Sequence, residues 1–200
     1  MQIDDPERGF SFQKEGMLDM RMDSSASVSA KEVVNSLSEK ELGEIFKKLG
    51  EERNWRQAAR AIVAARNIKP ISTTKELAVI IESAIGKSKK KIHGATLVFQ
   101  ALRIFVNDEL KEIERGIKYA IDSLEKGGII GVISFHSLED RIIKNIFRDL
   151  SIKGPLMGPG SVEVKPQLIN LTKKPIIAGK EEIKNNKRAR SAKLRFAEKI

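Results

Sequence analysis

"GGIIGVISFHSLEDRIIKNIFRD", from Gly127 to Asp149, is the stretch that decides the fold. Its apolar run, Ile129 to Ile133, is short and rich in β-branched residues, which predicts a strand over residues 129–134. The run stops at Ser134, Phe135, His136 and Ser137. Apolar residues then recur at helical spacing, at Leu138, Ile142, Ile146, Phe147 and Leu150, so a helix follows. Ser137 and Asp140 are placed to cap it. A strand that turns straight into a helix points to an α/β sheet. His136, one of only two histidines in the chain, sits at the carboxyl end of the strand, where open α/β sheets bind their ligands. Two readings stand: Ser137 caps while His136 fills a turn, or Ser134, Phe135 and His136 face a substrate.

Upstream of this stretch the periodicity is helical. Gly127 and Gly128 end a helix expected to run unbroken from about Ala95 to Glu125, along Val98, Leu102, Phe105, Leu110, Ile113, Ile117, Ile121 and Leu124. Before it, Ser29 with Glu32, Ser38 with Glu41, and Thr73 with Glu76 each have the spacing of a capping box. Gly50 suits the C-terminal cap of the second of these helices. A further helix is expected over about Glu52 to Arg66, with Ala58, Ala59, Ile62 and Val63 inward and Arg53, Arg56 and Arg60 together on another face. Those arginines either grip phosphate or pair with Glu51 and Glu52. Residues 1–27 carry no period and read as an ordered loop. Downstream, "KGPLMGPGS" is a loop. "LINLTKKPII" and "SAKLRFAEKI" read as a terminal pair of strands joined by a short helix near residues 181–185. One strand plus a terminal pair leaves sheet edges bare.

The formal net charge is +10, which favours an acidic partner. From Lys180 to Ile200 there are eight Lys or Arg against three Glu, a net of +5. Lys87, Lys89, Lys90 and Lys91 form a second cluster. Two such clusters tilt the reading toward nucleic acid. The absence of cysteine removes disulfides, thiolate metal sites and cysteine nucleophiles. Two histidines 43 positions apart offer no metal-ligand spacing. Ser134 lies outside a G-x-S-x-G elbow, so a hydrolase triad is not supported. No apolar run approaches the roughly 18 residues of a membrane span. The N-terminus lacks a signal-peptide layout, and the default expectation is cytoplasmic.

Six segments in order, "DDPERGFSF", "LDMRMD", "LGEER", "FQALRIFVNDEL", "ISFHSLEDR" and "RARSAKLRFAEK", resemble the ribosomal RNA small subunit methyltransferase H family. The resemblance covers essentially all 200 residues. It implies transfer of a methyl group from S-adenosylmethionine to N4 of a cytosine in 16S rRNA near the decoding site. The implied fold is a Rossmann-like sheet with a large inserted helical domain, of which this chain carries the C-terminal part. Residues 1–27 then form the edge of the pocket, 28–126 the inserted domain and connecting helix, and 127–200 the closing strands and helices. Gln2 is implied at the cofactor pocket, and Ser134, Phe135 and His136 at the target base. The implied partner is 16S rRNA in the small subunit, and the charge pattern offers Arg53, Arg56, Arg60, Lys89, Lys90, Lys91, Lys187, Arg188 and Arg190 as the residues to contact it. A homodimer or a separate N-terminal segment is a further expected partner.

The chain also departs from that family. Its members carry a glycine-rich loop after a first strand and an acidic residue for the cofactor's ribose, and these 200 residues contain neither. "GGIIGV" is no substitute, since its glycines precede a strand rather than follow one. In "HGATLVFQALR", Gly94 stands where the family has proline and Leu97 where it has arginine. The expectation is therefore an impaired methyltransferase. The alternative is a basic RNA-binding remnant or one half of a split enzyme.

Overall fold

The computed structural model describes residues 5–86, 93–151, 154–155 and 163–200. It is mostly helical, with a small antiparallel sheet. The chain divides into two compact units, residues 1–109 and 110–200.

The first unit is built from α1 (Ala30–Ser36), α2 (Glu39–Leu49), α3 (Trp55–Arg66), α4 (Thr74–Ile85) and α5 (Thr96–Val106). Helices α1, α2 and α4 start on the capping boxes legible in the sequence. Ser29, Ser38 and Thr73 each accept the N–H of the glutamate three residues on, and that glutamate accepts the cap's own N–H. Each helix buries one apolar face in a shared core that includes Val34, Leu42, Phe46, Ile62, Leu77, Ile81, Val98 and Leu102. Between Ser29 and Ile85 there is no strand among the described residues; Thr73 makes a single isolated bridge to Met17. Gly50 does end α2, but not in a left-handed conformation (φ −98°). A Cβ there would lie 2.5 Å from the Leu97 carbonyl oxygen, so close approach of α5 requires the glycine. The positive φ falls instead on Glu51, at 51°.

The single long helix expected from Ala95 to Glu125 is two helices, α5 and α6 (Glu109–Asp122). Asn107 caps α5, and Asp108 adopts a left-handed φ of 48°. A short polar side chain tolerates that region, and the break leaves Phe105 41% exposed.

The second unit holds α6, β1 (Ile129–Ser134), α7 (Ser137–Asp149), β4 (Leu168–Asn170), β5 (Ile176–Ile177), α8 (Lys180–Asn185) and β6 (Lys193–Lys199). Gly154–Pro155 (β2) and Glu163–Val164 (β3) pair as a separate two-residue ladder. The expected strand over "LINLTKKPII" is interrupted, and both of its pieces, β4 and β5, pair with β6. β1 also pairs with β6, Ile129 opposite Glu198 through Ser134 opposite Lys193. Every strand pair among the described residues is antiparallel. β6 returns directly against β1.

On the inner face, Val132 and Ala197 pack with Ile117, Ile121, Ile143 and Phe147 of α6 and α7. β6 also carries Arg195 inward, only 4% exposed. Asp140, at the start of α7, accepts from it twice, at 2.7 and 3.2 Å, and Lys193 adds a second cation at 3.5 Å. Burial pushes the Asp140 carboxyl up, but Arg195 and Lys193 outweigh burial and hold it below its usual range.

A buried pair broken on one side costs about 3 kcal/mol or more. Asp140→Asn is therefore expected to lower the unfolding free energy of the second unit by about that amount at neutral pH. Because the carboxyl is depressed in the fold, its contribution is complete above the ordinary carboxylate value and is lost as pH falls through the lowered native value. Urea unfolding between pH 7 and 3 checks both points. The mutant should show less acid sensitivity, and equal slopes against pH would contradict the assignment.

Candidate functional site

Three of the sequence motifs converge in the first unit. Arg8 donates to the carbonyls of Arg21 and Met22 at 2.9 and 2.8 Å. Asn107 donates to the Met20 carbonyl at 2.7 Å and accepts the Met22 N–H at 2.6 Å. Met20 is fully buried and held at a φ of 62°, a conformation that needs such over-determination. Arg21 grips Asp19 bidentately at 2.8 and 2.7 Å and donates to the Ala26 carbonyl. The Arg21 hydrogen bond holds the Asp19 carboxyl below its usual range. Gly9, at a φ of 68°, lets the Met17 carbonyl approach to within 2.1 Å of where a Cβ would be. The loops over residues 5–10 and 18–23 are therefore tied down by hydrogen bonds, with Arg8 and Arg21 engaged internally. The role of Asn107 had a signal in the sequence only as an Asn-Asp pair inside a helical period. Gln2 lies outside the described residues.

In the second unit the cap at the β1–α7 junction is not the expected one. His136, not Ser137, is the N-cap of α7. Its Nδ1 accepts the Glu139 N–H at 3.3 Å, and Glu139 accepts the N–H groups of Phe135 and His136 at 2.6 and 3.2 Å. Imidazole thus takes the place that serine takes in α1 and α2. An accepting Nδ1 carries no proton, so in the neutral ring the proton sits on Nε2. That atom is buried without a well-aligned hydrogen-bond partner, 3.1 Å from the Glu139 carboxylate. Burial pushes Glu139 up, while the hydrogen bonds from His136 and the Phe135 N–H prevail and hold it below its usual range. Ser134 is 2% exposed and its hydroxyl turns to the Lys193 carbonyl at 3.4 Å. Phe135 alone of the three presents its side chain, 55% exposed.

The basic residues divide into two kinds. Arg53, Arg56 and Arg60 line one open groove of the first unit. The expected pairing with Glu52 is absent, because Glu52 is buried and accepts the Asn54 N–H at 2.8 Å. Lys187, Arg188 and Arg190 lie on a short 3-10 turn, residues 187–191, with exposed side chains. Lys193, Arg195 and Lys199 in the same tail are structural: the first two meet Asp140, and Lys199 donates to the Ile121 carbonyl at 2.9 Å. Lys89, Lys90 and Lys91 lie outside the described residues.

Comparison with known proteins adds the following. The sequence profile of the MraW methylase family matches residues 1–200. Three similar curated proteins are each called ribosomal RNA small subunit methyltransferase H. The one from Protochlamydia amoebophila is 50% identical over all of this chain and 65% of its own length. That from Carboxydothermus hydrogenoformans is 49% identical, again over the whole chain and 65% of its own length. That from Elusimicrobium minutum is 53% identical over the whole chain and 64% of its length. The chain therefore spans about 65% of the length of these relatives. A methylase implies S-adenosylmethionine. The described residues do not fit it, because the donors at the start of α7 are already taken by His136 and Glu139, and no glycine-rich loop follows β1.

Loss of a side-chain cap costs about 1 kcal/mol, whereas a substitute that can still accept keeps most of it. His136→Ala is therefore expected to destabilise the second unit by about that much in urea, and His136→Asn by only a few tenths. Equal losses in both would show that the ring's packing, not its cap, matters.

Proposed function

We propose, for a chain that belongs to the MraW methylase family, that it supplies the base-facing part of an S-adenosylmethionine-dependent enzyme methylating N4 of a cytosine in 16S rRNA near the decoding site. The observation that carries this is the family match over residues 1–200, with Phe135 presented beyond the end of β1. An exposed aromatic ring there offers a stacking face to an unstacked base. His136 and Glu139 fix the backbone that holds the ring. In this geometry both ring nitrogens of His136 turn to Glu139, so the role it can fill while the cap stands is to hold Phe135 in place.

The finer fold proposal is that this sheet is one end of a larger Rossmann-like sheet. Its outer face is apolar: Ile129, Ile133 and Ile176 are 59, 57 and 51% exposed. Beyond it, β1 pairs only with β6, so its other edge is open among the described residues. An apolar face and an open edge are features that folded sheets cover. The cofactor's wall then comes from polypeptide of the kind that makes up the remaining third of the relatives.

Reaction requires cofactor and base held within reacting distance. The 200-residue chain alone is expected to give no detectable methyl transfer to small-subunit RNA. The same chain mixed with a polypeptide corresponding to that remaining third of a relative should methylate cytosine N4, read by transfer of labelled methyl. Single-turnover methylation by the chain alone would overturn the impairment. RNA binding without transfer in the mixture, under conditions where a full-length relative works, would favour a non-catalytic RNA-binding protein.

A further inference from the structure

We infer that the arginine-lined groove of the first unit is a binding site for the phosphate backbone of single-stranded RNA. The inference rests on the reading of this chain as RNA-directed and names where on the chain RNA is held.

The groove has a volume of about 570 Å³ and runs along α3, with Arg53, Arg56, Gln57 and Arg60 on its wall and Ala61 and Ala84 among its small residues. Its lining contains three guanidinium groups and no carboxylate. Two nearby acids are otherwise engaged or weakly placed. Glu52, the neighbour best placed in sequence, is buried and holds the start of α3 through the Asn54 N–H. Glu39 reaches Arg60 only at 3.8 Å, between side chains 79 and 48% exposed, a contact worth little in water.

One of the three cations is pre-oriented. The Arg56 guanidinium lies 4.1 Å from the centre of the Trp55 ring. Trp55 in turn rests on Gly43, where a Cβ would come within 2.7 Å of the ring. Glycine at position 43 is what lets the indole lie flat against α2. A guanidinium stacked this way keeps its planar fork of donors for a phosphate. Less side-chain freedom is then lost on binding.

The spacing selects the ligand. Arg56 and Arg60 stand four residues apart on α3, about 6 Å of rise at about 1.5 Å per residue, and Arg53 lies in the turn before the Asn54 N-cap. A single small anion cannot meet charges spread in this way, whereas successive phosphates of a strand can. The concave groove, with the Gln57 amide beside small alanines, admits one strand and a base edge. A cationic groove that tracks the backbone is the part of single-strand recognition this surface supplies.

The test is fluorescence anisotropy with the full chain, titrating salt against a labelled single-stranded oligonucleotide and its duplex. Single-strand binding falls with salt at roughly −0.7 log units per phosphate neutralised. The triple change Arg53→Gln, Arg56→Gln and Arg60→Gln is expected to flatten that slope by about two, and Arg53→Gln alone by about 0.7. All three side chains are exposed, so thermal melts followed by circular dichroism should stay within a few degrees of the unaltered chain. An unchanged slope in a folded triple variant, with the unaltered chain still binding RNA, overturns the groove and leaves the RNA-directed reading intact. Tighter binding to the duplex than to the single strand also overturns it. Absence of salt-dependent RNA binding by the unaltered chain overturns the groove and the RNA-directed reading together.

Discussion

A cation buried in the strand that every other sheet strand needs is the constraint on which the second unit depends. β1, β4 and β5 all hydrogen-bond to β6, and β6 brings Arg195 inside. An unpaired guanidinium there would cost several kcal/mol. Asp140 answers it from the first turn of α7 with a bidentate contact. The two residues are 55 positions apart, so the pair locks the β1–α7 junction to the last strand of the chain. The same carboxylate then cannot serve as the cap of α7, and that task passes to His136 and Glu139.

This explains which parts of the fold were legible in the sequence. Capping boxes are local: the accepting side chain and its partner glutamate are three residues apart, so Ser29, Ser38 and Thr73 could be recognised without knowing any tertiary contact. The cap of α7 has the same spacing, His136 to Glu139, but histidine is rarely read as an N-cap. Ser137 stood beside it with the commoner chemistry, and Asp140 was committed elsewhere by a residue far along the chain. The break between α5 and α6 was hidden for a similar reason. The apolar period runs through it, while the cause is Asn107 reaching Met20 and Met22, some 85 residues back.

Charge counts do not say which basic residues are free to meet a partner. The tail from Lys180 has a net charge of +5 in sequence, yet Lys193, Arg195 and Lys199 are tied to Asp140 and to the end of α6. A lysine capping a helix C-terminus is favoured by the helix dipole, and nothing in composition separates it from a lysine awaiting phosphate. Arg53, Arg56 and Arg60 show the converse. Adjacent glutamates suggested pairing, but the turn after α2 points Glu52 inward and leaves the arginines facing a groove. The sequence signal for that turn was Gly50, whose position is set by the Leu97 carbonyl rather than by a left-handed cap.

The junction at His136 constrains what chemistry this part of the protein can do. An exocyclic amine that gains a methyl group must lose a proton, and a base needs a free lone pair within reach of it. The Nδ1 lone pair of His136 is used by the Glu139 N–H, and Nε2 therefore carries the proton. Opening the cap would free Nδ1, but only by releasing the first turn of α7 and with it the seat of Phe135. Glu139 is ionised at neutral pH, but its carboxylate already accepts two backbone N–H groups. Phe135 offers a face and no proton acceptor. What these side chains supply is position: a fixed aromatic ring at the end of a strand. On the function proposed above, the amine proton would leave to solvent or to another group. Such a site would act by holding base and methyl donor in line, while its own titratable groups serve the helix that carries it.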